Sequence, residues 1–129
     1  VDLVVPQLLI TDDDRAFRET LGEVLRRRGY ATTLAGDGEE ALQIVRRQPV
    51  HLVLLDMHMP RLNGLETIRR LRADALALPC ILLSAALDHQ IIEAAEALST
   101  AAILPKPVRI GALNDLVQDV LKRTYAFLN

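Results

Sequence analysis

The sequence predicts an α/β domain whose parallel sheet is covered by helices on both faces. Two observations carry that expectation. Five short apolar runs alternate with five stretches of helical apolar spacing. The runs are almost continuously apolar, as strands buried on both faces require. Right-handed crossovers between successive parallel strands force the intervening helices onto the two faces. At 129 residues, half of them apolar, the chain has the size of one domain with a real core.

The first run is Gln7 to Thr11, and it ends in acid. Phe17, Leu21, Val24 and Leu25 then recur at helical spacing until Gly29 closes the helix. Ala31 to Ala35 is the second strand, and Gly38 to Gln48 a helix with Ala41, Leu42 and Val45 inward. Leu52 to Leu55 is a buried third strand; Leu65, Ile68 and Leu71 mark a third helix opened by the Asn63-Gly64 turn. Ile81 to Ser84 is the fourth strand, followed by a helix carrying Ile91, Ile92, Ala95 and Leu98. Ala101 to Leu104 gives the weakest strand signal, and Leu113, Leu116, Val117, Val120 and Leu121 describe the last helix. Residues 1–124 read as one domain; residues 125–129 have no clear pattern and read as a frayed tail or the start of a linker to an output domain.

Composition narrows the function classes. A net charge of −2, no Trp, two Tyr and two Phe leave neither a basic footprint nor stacking platforms for nucleic acid. The arginines at 26–28, 46–47 and 69, 70 and 72 fall near predicted helix ends, where they suit the negative end of the macrodipole and predict a solvated face. The apolar runs are far short of the roughly 20 residues of a membrane span, and no signal peptide opens the chain, so the expected location is the cytoplasm. Cys80, the only cysteine, sits in an apolar run and is expected to be a packed core thiol. His51 and His89 are expected to be surface or cap residues.

In sheets of this kind ligands bind beyond the carboxyl ends of the strands, where strand order reverses. Strand one ends in Asp12, Asp13 and Asp14, strand three in Asp56, strand four in Ser84, and strand five in Lys106 between two prolines. Asp14 is expected to cap the first helix, whereas Asp12 and Asp13 are read as functional. Clustered carboxylates repel unless a cation lies among them, and oxygen donors without a His or Cys cluster select Mg²⁺ or Mn²⁺. Asp56 is then the candidate nucleophile for phosphoryl transfer, with Lys106 and the metal meeting the developing charge and Ser84 offering a hydroxyl. Lys106 is one of two lysines against thirteen arginines, so a lysine at this place is informative.

These residues resemble the response-regulator receiver family. Leu9-Ile10-Thr11-Asp12-Asp13-Asp14 is similar to the family's acid pair, and Leu54-Leu55-Asp56-Met57-His58-Met59-Pro60 to its phosphoacceptor segment. Asn63-Gly64, Ser84-Ala85 and Leu104-Pro105-Lys106-Pro107 match the following turn, the Ser/Thr position and the lysine-proline signature. The resemblance runs from about Leu8 to Lys122. It implies a doubly wound, flavodoxin-like sheet of order 2-1-3-4-5. It implies a phosphorylation-activated switch, a regulatory domain rather than a metabolic enzyme. Asp56 would take a phosphoryl group from the phosphohistidine of a sensor histidine kinase or phosphotransfer protein. Asp13 and Asp56 would ligate magnesium through carboxylates, His58 through its backbone carbonyl and Asp12 through water. The Lys106-Pro107 bond is expected to be cis.

Departures from the family concern output. Ile103 stands where a Tyr or Phe usually switches rotamer, Ser99 where glycine is common, Val108 where phenylalanine is common and Asn63 where aspartate is common. His58 and Ala86 match positions that tune phosphorylation lifetime. A homodimer through the fourth and fifth helices is an expectation from fold analogy, motivated by Ala94, Ala95, Ala97 and Leu98. Two alternatives stay open: a degenerate receiver acting as a phosphorylation-independent interaction module, and an aspartate-nucleophile, Mg-dependent phosphatase. The phosphatase should carry a second aspartate where His58 stands. Gly36-Asp37-Gly38-Glu39-Glu40-Ala41 matches G-x-G-x-x-A, but its three acids would repel a pyrophosphate.

Overall fold

The computed structural model describes residues 4–74 and 76–125. Five strands alternate with five helices: β1 Gln7–Thr11, α1 Arg15–Arg27, β2 Ala31–Ala35, α2 Gly38–Arg47, β3 Leu52–Asp56, α3 Gly64–Ala73, β4 Cys80–Ser84, α4 His89–Ala97, β5 Ala102–Pro105 and α5 Ile110–Thr124. The strands form one parallel sheet in the order β2-β1-β3-β4-β5. The fifth strand lies one residue later than its apolar run predicts.

Side-chain alternation divides the core into two layers. Leu8, Ile10, Leu52, Leu54, Ile81 and Leu83 face α1 and α5, while Leu9, Val53, Leu55, Cys80 and Leu82 face α2, α3 and α4. β3 and β4 are covered on both faces along their whole length, which is why they read as nearly continuous apolar runs, whereas the edge strand β2 carries Thr32 and Thr33 at half-buried positions. Cys80 is fully buried, and desolvation pushes its thiol up to about 11. The inward residues of α2 are Ala41, Leu42 and Ile44, with Val45 only half-buried.

Local chemistry starts the helices where the sequence indicates. Asp14, Asp37 and Asp88 each accept a hydrogen bond from the third residue of the helix they cap. Asn63 and Glu66 form a reciprocal capping box on α3. Asp37 and Glu40 of the glycine-rich segment serve α2 and its entry, Glu40 accepting from the Gly36 N–H at 2.6 Å. A Cβ on Gly38 would meet the side chains of Thr67 and Leu62, so this glycine permits the α2–α3 contact.

Four sequence expectations change in the structure. Arg72 is not on a solvated face: its guanidinium donates to the carbonyls of Leu98 (2.9 Å), Leu76 (2.8 Å) and Leu78 (2.9 Å), tying the end of α3 to the end of α4. His51 is a half-buried anchor rather than a surface residue, its Nδ1 accepting from the Gln7 N–H at 2.8 Å. Tyr125, the first residue of the patternless tail, donates its hydroxyl to the His51 carbonyl at 2.7 Å and packs edge-on against that ring. Residues 126–129 lie outside the described residues. The apolar quartet of α4 does not form an outward face, because Ala95 is buried and Ala94 and Leu98 pack on the core, leaving Ala97 exposed. His89, exposed at the start of α4, fits its expectation.

Two backbone positions give stability tests. A Cβ on Gly64 would stand 2.7 Å from the Asp56 carbonyl oxygen and 2.6 Å from Leu82. Gly64→Ala is expected to cost about 1–3 kcal/mol in urea unfolding, as overpacking does. Ser99 holds a left-handed φ of 55° at the turn after α4. Ser99→Gly should stabilise by about 0.5–1 kcal/mol in the same assay, the relief of a strained L-residue less the extra freedom of glycine in the unfolded chain.

Candidate functional site

Strand order reverses between β1 and β3, and the sheet register brings the ends of neighbouring strands within one residue of each other. Thr11 is opposite Leu55, Asp56 opposite Leu83, and Ser84 opposite Pro105. Residues just past Thr11 and Pro105 therefore meet Asp56 at one edge, although the chain separates Asp12 from Lys106 by 94 positions. Backbone bonds fix the edge: Asp12 N–H donates to the Ala35 carbonyl at 3.1 Å, Met57 N–H to Leu83 at 2.7 Å, and Lys106 N–H to Ser84 at 2.9 Å. The Gly64 N–H donates to the Met57 carbonyl at 3.0 Å, holding the start of α3 close to the end of β3.

The structure brings Asp12, Asp13, Asp56 and Lys106 together. One carboxylate oxygen from each acid lies within 4.8 Å of the others. Asp12 and Asp56 are only 2% and 5% exposed, whereas Asp13 faces solvent. Lys106 Nζ lies 2.8 Å from Asp12 Oδ2 and 3.1 Å from Asp56 Oδ1, bridging the buried pair. The peptide bond between Lys106 and Pro107 is cis, as expected from the resemblance.

Burial raises the Asp56 pKa above the ordinary carboxylate value, and the neighbouring Asp12 charge adds to this; Lys106 and the His58 backbone N–H oppose it without cancelling it. Burial works against the Lys106 charge, but hydrogen bonds and attraction from Asp12 and Asp56 outweigh it and raise that pKa. Three carboxylates against one ammonium leave the site short of positive charge. Oxygen donors with that deficit suit a hard divalent cation.

Ser84 is placed beside the cluster, yet its hydroxyl points elsewhere. It donates to the Ala86 carbonyl at 2.9 Å, accepts from the Ala86 N–H at 3.2 Å, and lies 3.5 Å from His58 Nε2. The His58 side chain is exposed, with its Nε2 near the Ser84 hydroxyl. Two neighbours carried no signal in the sequence beyond their helical spacing. Phe17 lies under Lys106, with Nζ 4.3 Å from the ring centroid, and Arg18 donates to the Asp12 carbonyl at 3.1 Å.

The family model for the response regulator receiver domain matches residues 8–118. The chain is a response-regulator receiver domain. Among related proteins, the response regulator MprA of Mycobacterium leprae is 40% identical over 120 residues, covering 92% of this chain. The chain spans about half the length of that relative, 52%. A response regulator receiver protein from Pseudomonas putida is 32% identical with a TM-score of 0.87, covering 92% of this chain and 99% of the other. The receiver domain of Francisella response regulator 1452 is 30% identical, again with a TM-score of 0.87, over 93% and 99% of the two chains. Receiver domains are the regulatory domains of two-component systems, and the flavodoxin-like order expected from the sequence is the one observed. No described helix is long and apolar enough to cross a membrane.

In this receiver domain Ile103 is half-buried on β5, against the α2–α4 layer of the core. A depression of about 320 Å³ opens beside it, bounded by Leu87, Ile92, Ala95 and Thr100. The Thr100 hydroxyl is buried there without a hydrogen-bond partner among the described residues.

The raised Asp56 pKa has a measurable consequence. A carboxyl whose folded pKa exceeds its unfolded value costs the folded state stability once it ionises, and the cost disappears as pH falls through the folded pKa. Asp56→Asn is therefore expected to raise the thermal midpoint of the metal-free protein by a few degrees at neutral pH. That advantage should shrink to nothing as the buffer is taken below the ordinary carboxylate range. Thermal melts in chelator at stepped pH check both the sign and the trend.

Proposed function

We propose that this receiver domain is a phosphorylation-activated switch with Asp56 as phosphoacceptor. The observation that carries the reading is the Lys106 ammonium bridging the buried Asp12 and Asp56 carboxylates, with Asp13 beside them at the solvent edge. A carboxylate oxygen of Asp56 attacks the phosphorus of a phosphohistidine on a sensor histidine kinase or phosphotransfer protein. The O–P bond forms as the P–N bond breaks, and the imidazole leaves with that bonding pair and takes up a proton. The domain catalyses only its own phosphorylation and dephosphorylation. Such a donor places it in the cytoplasm.

The donor set fits Mg²⁺ or Mn²⁺: Asp13 and Asp56 would offer carboxylate oxygens, His58 its backbone carbonyl, and Asp12 a contact through water. When bound, the ion supplies positive charge against the phosphoryl oxygens. Lys106 would meet the same charge with its ammonium, and Ser84 would donate its hydroxyl to a phosphoryl oxygen on leaving the Ala86 carbonyl. The response is then read by an output domain or a separate partner; relatives about twice the length of the matched stretch support the first.

Intact-mass measurement after incubation with acetyl phosphate and Mg²⁺ tests this. The expected result is a gain of one phosphoryl group that disappears with Asp56→Asn and with chelator. A folded, Mg²⁺-binding protein that gains no mass from acetyl phosphate or from a phosphorylated histidine kinase would instead be a degenerate receiver.

A further inference from the structure

We propose that Phe17 is a positioning residue for Lys106, holding the ammonium over the acid pair through the face of its ring. The inference rests on the reading of Lys106 as the cation that meets the phosphoryl group. A lysine side chain has four rotatable bonds and an ammonium with three donors, so two carboxylate contacts alone leave it free to swing with them. Here the ammonium has a second support. Nζ lies 4.3 Å from the centroid of the Phe17 ring, within the range at which the ring's negative face attracts a cation. The ring accepts none of the N–H donors in a conventional hydrogen bond, so these remain available to Asp12, Asp56 and an incoming oxygen.

The contact belongs to a closed circuit. Asp12 Oδ1 accepts from the Asp14 N–H at 2.8 Å, and Asp14 Oδ1 accepts from the Phe17 N–H at 3.2 Å. The Phe17 ring carries Lys106, and Lys106 returns to Asp12 Oδ2 at 2.8 Å. The helix cap that fixes the first turn of α1 therefore also fixes where the ring lies. Phe17 is half-buried against the α1–α5 layer, so it is supported from behind, and Lys106 is 21% exposed, so the ammonium is partly shielded from water. Partial desolvation is the condition under which a cation–π contact is strong.

Two readouts test the role on the intact chain. The chain holds two lysines, so lysine labelled with ¹³C at Cε gives two resolvable methylene signals, those of Lys106 and Lys122. The Lys106 protons should be shifted upfield by the ring current in the wild type and in Phe17→Tyr, and should return to the Lys122 position in Phe17→Leu. The rate of phosphorylation by acetyl phosphate with Mg²⁺ should fall about threefold to thirtyfold in Phe17→Leu, the range a cation–π contact spans, and recover in Phe17→Tyr. Replacing Phe17 by progressively fluorinated phenylalanines keeps the shape while draining the ring face of charge, and should lower the rate stepwise. Melting curves identify any variant that fails to fold, and the fluorinated series stands in for it. No upfield shift in the wild type, or full rates across the fluorinated series, overturns the proposal. A wild-type chain that accepts no phosphoryl group from any donor while keeping the upfield shift overturns the underlying reading of the site, and the role of Phe17 with it.

Discussion

Two carboxylates, Asp12 and Asp56, are buried side by side at the carboxyl edge of the sheet with a single ammonium between them. Burying like charges together is unfavourable, and the raised Asp56 pKa registers the part that Lys106 leaves uncompensated. The surrounding architecture makes this arrangement sustainable. Neighbouring parallel strands end within one residue of each other, backbone hydrogen bonds from Asp12, Met57 and Lys106 secure those ends, and a glycine lets α3 close against the end of β3. Residual negative charge at such an edge favours a bound hard cation.

The face next to the site is built differently from the one the family resemblance implies. An aliphatic Ile103 occupies the position of the expected ring, beside a depression of mixed polarity that Glu96 also lines and a Thr100 hydroxyl without a hydrogen-bond partner among the described residues. Ser84, at the end of β4 beside the acid cluster, spends its hydroxyl on Ala86 and lies near His58. At the far end of α4, Arg72 ties three carbonyls from two connections together. The C-terminal end of α4 is thus tied to α3, while Leu87, just before its N-terminal end, is exposed.

Much of the fold was legible because a parallel sheet buried on both faces leaves continuous apolar runs and puts a helix between each pair. The cap at Asp14 was legible for the same local reason, since an N-cap needs only a short acceptor before a helical pattern; Asn63-Gly64 reads as the turn that opens α3, and its reciprocal cap with Glu66 is seen only in the structure. Arg72 was misread because an arginine in the last turn of a helix usually faces water, and only the approach of two loops turns it into a clamp. His51 and Tyr125 escaped because each is anchored by a residue distant in sequence, across 44 and 74 positions. The α4 alanines looked like an outward stripe because small residues serve a core as well as an interface.

The sequence by itself determined the strand–helix alternation, the identities of Asp12, Asp13, Asp56, Ser84 and Lys106, and their places at strand ends, since hydrophobic periodicity and capping act over a few residues. Tertiary structure decided which of them touch. It set Lys106 between Asp12 and Asp56, turned Ser84 toward Ala86, left Asp13 in solvent, and slid the Phe17 ring beneath the ammonium. Those outcomes depend on strand order, register and side-chain direction across nearly a hundred residues, and no local rule along the chain contains them.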